Sequence, residues 1–444
     1  MLNNTISKQD YPVIDRSNEL YKRAMGLIPC LTQTLAKGPT QYVNGVAPKY
    51  LVKGKGSHVW DADGNEYIDY NMGIGPLLLG YANPEVDEAI RTQLADGITF
   101  SLMHPLEVEV SELLREIIPN AESVRFSKSG ADVTSAAIRI ARAYTGRNKI
   151  LCCGYHGWHD WYVSTIARNS GIPESIKDLT YTFSYNDIES LLWSIDKDVA
   201  AVILEPVVFE APRENFLYKI ADICKENGTV LIFDEMWTGF RMSLGGAQEY
   251  FGITADLATF SKAIANGMPI SVLTGKQEIM RVLEDDVFFF TTFGGEALSL
   301  AAVKATIKEI REKNVIPVIA AKGEILMEGY NRIAAKLSLD YTRAIGYNFR
   351  SMVVFDEKAG NPLELKSFVQ QELIRKGILW SGMHNMSYSH TLQDIEYTLS
   401  AYEEVLNLLK LAVAEDSLRQ QIRGIPVQPT FRKTSGFNTK PKTT

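Results

Sequence analysis

The chain has 444 residues, 45% of them hydrophobic and 22% charged, with a formal net charge of −7. That is enough apolar surface for a large core, and it excludes a disordered or collagen-like chain. The acidic balance argues against nucleic acid as the main partner. No apolar stretch reaches the roughly 18 residues that a membrane span needs. The start, Met1-Leu2-Asn3-Asn4-Thr5, lacks a signal-peptide profile. Of the four cysteines, Cys152 and Cys153 are adjacent, and the others are Cys30 and Cys224. A reducing cytoplasm is therefore expected rather than a disulfide framework.

The first 45 residues show no clear pattern. Residues 55–70 predict a hairpin turning at Asp63-Gly64. From about residue 84 helical stretches alternate with apolar runs, which predict strands at 123–126, 149–153, 200–204, 229–233, 257–260 and 270–274. This alternation favours an α/β fold whose mainly parallel central sheet is covered by helices. After a helix near 297–313 the composition resets, and 316–412 predicts a smaller α+β region. The expected division is an N-terminal segment and hairpin of the small domain (1–70), a large domain (71–315), a C-terminal small domain (316–420) and a tail (421–444). From Gly424 on, Arg432, Lys433, Lys440 and Lys442 stand among Thr, Ser, Pro and Gly, which reads as extended or disordered chain.

The run Val230-Leu231-Ile232-Phe233 ends in Asp234-Glu235, and Leu257-Ala258-Thr259-Phe260 is followed by Ser261-Lys262. Buried strands would deliver both groups at their C-terminal tips, where open α/β sheets bind ligands. A carboxylate and a lysine there suit pyridoxal phosphate, whose aldehyde a lysine holds as an imine and whose ring nitrogen an acid holds protonated. An apolar strand ending in Asp-Glu also describes an ATPase acid, but the nearest phosphate-loop fragment, Gly54-Lys55-Gly56-Ser57, lacks the required spacing.

Ser129-Gly130-Ala131 opens a helix whose Val133, Ala136, Ala137, Ile140, Ala141 and Tyr144 share one face. Such a turn can bind a phosphate or merely cap the helix. Tyr155-His156-Gly157-Trp158-His159-Asp160 follows a strand, and an aromatic there can stack on a flat ring. His156 and His159 could suggest a metal, but no third and fourth ligand has the usual spacing, so none is expected. Thr291-Thr292-Phe293-Gly294-Gly295 precedes another helix and is either a second phosphate contact or a plain loop.

In this order, the 60–69 segment, the Ser129 turn, Tyr155-His156-Gly157, Glu205-Pro206, the 233–241 segment, Ser243-Leu244-Gly245-Gly246-Ala247-Gln248 and Ser261-Lys262 resemble the class III aminotransferases of fold type I. The resemblance is strongest to the glutamate-1-semialdehyde aminomutase branch and spans roughly residues 20 to 412. It implies that Lys262 bonds to the cofactor and shuttles a proton, and that Asp234 pairs with the ring nitrogen. Tyr155 and Met236, the latter where valine is usual, would cover the two ring faces. Ser129, Gly130 and Ala131 would bind the phosphate, with His156 and Glu205 near the ring. Thr292 would reach the phosphate of the other subunit, so a homodimer is implied.

The substrate shell departs from that pattern. The aminomutase's carboxylate-gripping serine and arginine are replaced by the segment Ile28-Pro29-Cys30-Leu31-Thr32-Gln33-Thr34-Leu35-Ala36-Lys37, which offers no guanidinium fork. Glu296-Ala297 and His384-Asn385-Met386-Ser387 also replace family residues. The expected activity is therefore transfer of an amino group, with glutamate as the first candidate donor, to an aldehyde or ketone. Gln33, Gln41, Tyr42, His104, His384 and Asn385 point to a hydroxylated acceptor, sugar-like or nucleotide-linked. A 2,1-aminomutase is the main alternative, with an NTPase or a non-catalytic cofactor-binding protein behind it.

Overall fold

The computed structural model describes residues 10–429, which fall into two compact units, one of 10–83 with 317–429 and the other of 84–316. The first unit opens with the helix Asp15–Ala24 and then forms β1 (Leu51–Lys55), β2 (His58–Asp61) and β3 (Glu66–Asp69), an antiparallel meander. Its β2–β3 turn runs through Gly64 at φ +86°, a left-handed conformation that glycine adopts without steric cost.

The second unit is built on one seven-stranded sheet. Its members are β4 (Ser123–Ser127), β5 (Lys149–Cys153), β6 (Thr180–Thr182), β7 (Val199–Leu204), β8 (Val230–Asp234), β9 (Leu257–Phe260) and β10 (Ser271–Gly275). Their spatial order is β4-β10-β9-β8-β7-β5-β6. Pairing is parallel throughout from β9 to β6, and β10 alone runs antiparallel to both its neighbours. β7 and β8 are buried at every position, as strands covered on both faces must be, which is why they read as continuous apolar runs. The helix Gly130–Thr145 lays Val133, Ala136, Ala137, Ile140 and Ala141 against this sheet. The mainly parallel, helix-covered sheet expected from the alternation is the one observed.

The first unit resumes with β11 (Thr342–Tyr347), β12 (Arg350–Phe355), β13 (Ile378–Leu379) and β14 (Met383–Asn385). β13 joins β3 in parallel, and β11-β12-β14 form a separate antiparallel sheet. The long helix Leu392–Ala414 begins with a capping box between Thr391 and Asp394, which satisfies otherwise orphaned backbone N–H groups. The first residues of the expected tail are packed. Ile425 bridges Asn44, and the Val427 N–H donates to Ser367 Oγ at 2.9 Å. The remainder of that tail lies outside the described residues.

Candidate active site

The second unit gathers its chemistry-bearing residues at the C-terminal ends of the parallel strands. β8 ends in Asp234, which pairs in register with Thr259 of β9. Asp234 is 2% exposed. A carboxylate buried this deeply needs donors, and it has two: His156 Nδ1 lies 2.7 Å from Oδ2, and the Met236 N–H donates to Oδ1 at 3.1 Å. The carboxylate fixes the imidazole tautomer, so Nδ1 carries the proton. His156 Nε2 is buried without a hydrogen-bond partner. The carboxylate retains acceptor capacity, since its two oxygens offer about four lone-pair positions.

Lys262 opens a short 3-10 turn, Lys262–Ala265, immediately past β9. Its φ is +48°, a left-handed conformation that costs a non-glycine residue about 1–3 kcal/mol and is characteristic of functional sites. The turn is held from below by Ser261, whose hydroxyl donates to the Ile270 carbonyl at 2.7 Å. Lys262 Nζ lies 3.9 Å from the centre of the Trp237 ring. Trp237 carried no signal in the sequence beyond its place two residues past Glu235.

Three further segments converge on Asp234 and its neighbours. The chain leaving β5 passes Gly154, where a Cβ would stand 2.8 Å from Glu205 Oε1. Only glycine fits there. Glu205 accepts from the Tyr155 N–H at 2.8 Å and so fixes the backbone that carries Tyr155 and His156. Burial, and then the charge of Asp234, raise the pKa of the Tyr155 hydroxyl. Tyr162 meets both rings edge-on, at 5.5 Å from each.

Ser129 caps the helix Gly130–Thr145 in a capping box with Asp132. The Asp132 carboxylate accepts from Ser127 Oγ, the Lys128 N–H and the Ser129 N–H. Burial opposes its ionisation, but these hydrogen bonds outweigh burial and its pKa is lowered. At Gly130 a Cβ would meet Met236 Sδ at 3.0 Å, and at Gly157 one would meet the Ala131 Cβ at 2.7 Å. Met236 and the Gly157 turn therefore close on the start of this helix. The result is a positive helix end, with N–H groups at Gly130 and Ala131, of the kind that accommodates a phosphate.

Thr292 is exposed in the loop that precedes the helix Ala297–Glu312. That loop is tied down by Glu296, which accepts from the Ser299 N–H as the cap of the helix Ala297–Glu312 and pairs with Lys128 at 2.5 Å. Glu296, unusual by family pattern, thus anchors the loop to the Ser129 turn.

The substrate candidates separate. His104 belongs to the second unit, where its Nδ1 caps the helix Pro105–Ile117. Gln33, Gln41, Tyr42, His384 and Asn385 belong to the first unit. Gln33 is exposed. Gln41 donates to the Gln428 carbonyl, and Tyr42 OH accepts from Asn71. Asn385 donates to the Asn71 carbonyl, while its Oδ1 is buried without a partner. His384 differs from Gln33 in its surroundings. It is fully buried, Nδ1 meets Ser351 Oγ at 2.9 Å and Nε2 meets Tyr402 OH at 2.7 Å, so neither ring nitrogen is left to give. His159 lies against Ser135 Oγ at 2.6 Å while His156 faces Asp234. Among the described residues no three potential metal ligands stand together.

The chain matches the model of the family "Aminotransferase class-III" over residues 42–394. It is 36% identical to the 3-aminobutyryl-CoA aminotransferase of Cloacimonas acidaminovorans, over 89% of this chain and 97% of that one. It is 34% identical to the glutamate-1-semialdehyde 2,1-aminomutase of Archaeoglobus fulgidus, over 88% and 100% of the two chains. Among solved structures it is similar to the FumI protein of Sphingopyxis sp. MTA144 in its PLP form, at TM-score 0.84 and 28% identity over 90% and 97% of the two chains. The family match over most of the chain and the full-length likeness to these relatives place it in the class III aminotransferase family of fold type I, enzymes that work with pyridoxal 5′-phosphate.

Proposed function

We propose that the enzyme transfers an amino group from a donor amino acid, glutamate first among the candidates, to an aldehyde or ketone, with Lys262 and Asp234 as its catalytic residues. The observation that carries this reading is the pair of neighbouring parallel strands ending in a His156-bonded Asp234 and a left-handed Lys262. The residues present fit pyridoxal phosphate: a buried acid with spare acceptor capacity, an unpartnered His156 Nε2, and a glycine-lined helix start with free N–H groups. When bound, the cofactor supplies an aldehyde for capturing amines and a ring that draws electrons from the substrate's Cα–H bond.

The chain's own residues do the rest. Lys262 Nζ would take the Cα proton and deliver it to C4′ of the cofactor. Asp234 presents its carboxylate to the ring N–H, and His156 keeps that carboxylate oriented. Ser129, Gly130 and Ala131 hold the phosphate, and Thr292 does so from the partner subunit of a homodimer. Tyr155 and Met236 cover the ring faces, and Glu205 positions Tyr155. Gln33, His104 through Nε2, and Asn385 are the substrate-side candidates, in an enzyme of the cytoplasm.

The missing guanidinium fork suits an acceptor that need not present a free carboxylate near its reacting carbon. The nucleotide-linked arm of the acceptor reading draws support from the Cloacimonas relative, whose named substrate is a coenzyme A conjugate. The test is the visible spectrum of the purified protein before and after glutamate. A band that bleaches to the amine form of the cofactor establishes transamination. A band that ignores every amino acid offered, combined with isomerisation of a single 1,2-amino carbonyl compound without added acceptor, favours the aminomutase reading that the Archaeoglobus relative suggests. No band after adding pyridoxal phosphate overturns the role of Lys262.

A further inference from the structure

A second cleft lies in the 84–316 unit, with a volume of about 430 Å³. That is within the range of about 300–1,000 Å³ typical of small-molecule sites. One wall is the helix Gly130–Thr145, on the side that carries Ser135, Ile138, Arg139 and Arg142, and another is the segment 158–161. None of the residues given a role in amino transfer lines it.

Its charge is unusual. Arg139 and Arg142 both line it, and the only acid on its walls is Asp160. Arg142 donates through Nε to the Asn148 carbonyl at 2.9 Å, while its Nη2 is buried with no hydrogen-bond partner. Arg139 donates to the Phe288 carbonyl at 2.8 Å. Among the described residues neither guanidinium is ion-paired with a carboxylate. A partly buried guanidinium with no carboxylate partner is costly unless an anion offsets its charge.

The rest of the lining is aromatic and apolar. Trp158 is 71% exposed, far more than its size predicts, and meets His159 edge-on at 4.8 Å. Trp161 is instead held in the wall, its indole N–H donating to Ser135 Oγ at 2.9 Å. Ile138, Ile176 and Leu179 complete an apolar surface. An exposed indole beside apolar side chains takes a flat ring, and two guanidiniums take a phosphate or carboxylate.

We propose that this cleft binds a small molecule that joins a planar aromatic ring to an anionic group, with a nucleoside phosphate as the leading source of that chemistry. The ring lies against Trp158, and the anion is held by the charges of Arg139 and Arg142, both of which line the cleft. The proposal does not depend on which acceptor the amino-transfer site uses.

The experiment titrates the cofactor-loaded enzyme with AMP by calorimetry, with adenosine, inorganic phosphate and 2-naphthoate as parallel probes. Saturation of the enzyme with pyridoxal phosphate keeps AMP phosphate out of the Ser129 cradle. AMP is expected to bind saturably, with adenosine and phosphate each at least tenfold weaker. Trp158→Ala and Arg142→Gln are each expected to weaken AMP at least tenfold while leaving the visible cofactor band unchanged. Trp158→Ala alters an exposed side chain, so it remains informative if Arg142→Gln fails to fold. Naphthoate binding as tightly as AMP, and equally sensitive to both variants, supports the same chemistry with a carboxylate source. No saturable binding by either ring-bearing anion, phosphate alone binding as tightly as AMP, or binding indifferent to Trp158→Ala would overturn the proposal.

Discussion

The Lys262 ammonium stands over the face of Trp237, 3.9 Å from its centre. At that distance a cation–π contact contributes about 0.5–2 kcal/mol, with the upper end reached when water is excluded. Trp237 follows the end of β8 and Lys262 the end of β9, so the contact also braces the two strand ends against each other.

Replacing Trp237 by Ala should therefore lower kcat several-fold, up to about tenfold for a loss near 1.4 kcal/mol, with the cofactor still bound. Trp237→Phe, which keeps an aromatic face, should recover most of the rate. Single-turnover kinetics with glutamate provide the measurement, and an Ala variant at the wild-type rate would show that the ring does not position the lysine.

Lys262→Ala should remove both turnover and the visible band that depends on the lysine–cofactor bond. Asp234→Ala should retain cofactor but lose at least about a hundredfold in kcat, because a general electrostatic partner in a dry site is worth roughly 3 kcal/mol or more. His156→Ala should be milder, since it unseats Asp234 Oδ2 without removing the charge. Stopped-flow absorbance on the three variants ranks these losses, and an Asp234→Ala enzyme as fast as wild type contradicts the assignment.

Glu235, next to Asp234, has a different task. It is fully buried, accepting from Thr238 Oγ1 and from the Ala247 and Gln248 N–H groups. Burial above all, with a contribution from the charge of Asp234, raises its pKa from 4.5 to about 7. Between those values the folded state binds the proton that the unfolded state has released. Stability therefore falls as pH rises from 4.5 through 7, by on the order of 3 kcal/mol from this group. Urea denaturation across that window should show stability falling less, or rising more, with pH for Glu235→Gln than for wild type, and identical slopes would exclude the raised pKa.

His384 should behave as a structural residue. Burial lowers its pKa from 6.5 to about 3, so the folded state holds it neutral while the unfolded state protonates below pH 6.5. Its contribution is complete above pH 6.5 and is lost as pH falls toward 3. His384→Phe should destabilise the protein by about 2–4 kcal/mol, by leaving Ser351 and Tyr402 hydroxyls unpaired, and should weaken the acid sensitivity. KM for both substrates should stay within twofold. A raised KM at unchanged stability would return His384 to the substrate site.

The placement of Asp234 and Lys262 was legible from the residues because both sit at strand ends. A continuous apolar run that stops at an acid or a lysine marks both a buried strand and the group at its tip, and β8 and β9 end within a residue of where that pattern places them. The substrate-facing half was not legible in this way. His384 looked available because nothing local distinguishes a histidine that offers a nitrogen from one whose nitrogens are taken, and its partners Ser351 and Tyr402 are 33 and 18 residues away. Glu296 looked like a lost family residue, and its partner Lys128 lies 168 residues off.

By itself the sequence determined the alternation of strand and helix, the residues at the strand tips and the capped start of the Ser129 helix, since each depends on neighbours within a turn or a strand. The tertiary structure alone decided which of those tips stand side by side, which polar groups have their hydrogen bonds spent in the interior, and that an indole lies under the lysine. Those outcomes depend on contacts between residues far apart in the chain, where burial and pairing, rather than local preference, set the free energy of each side chain.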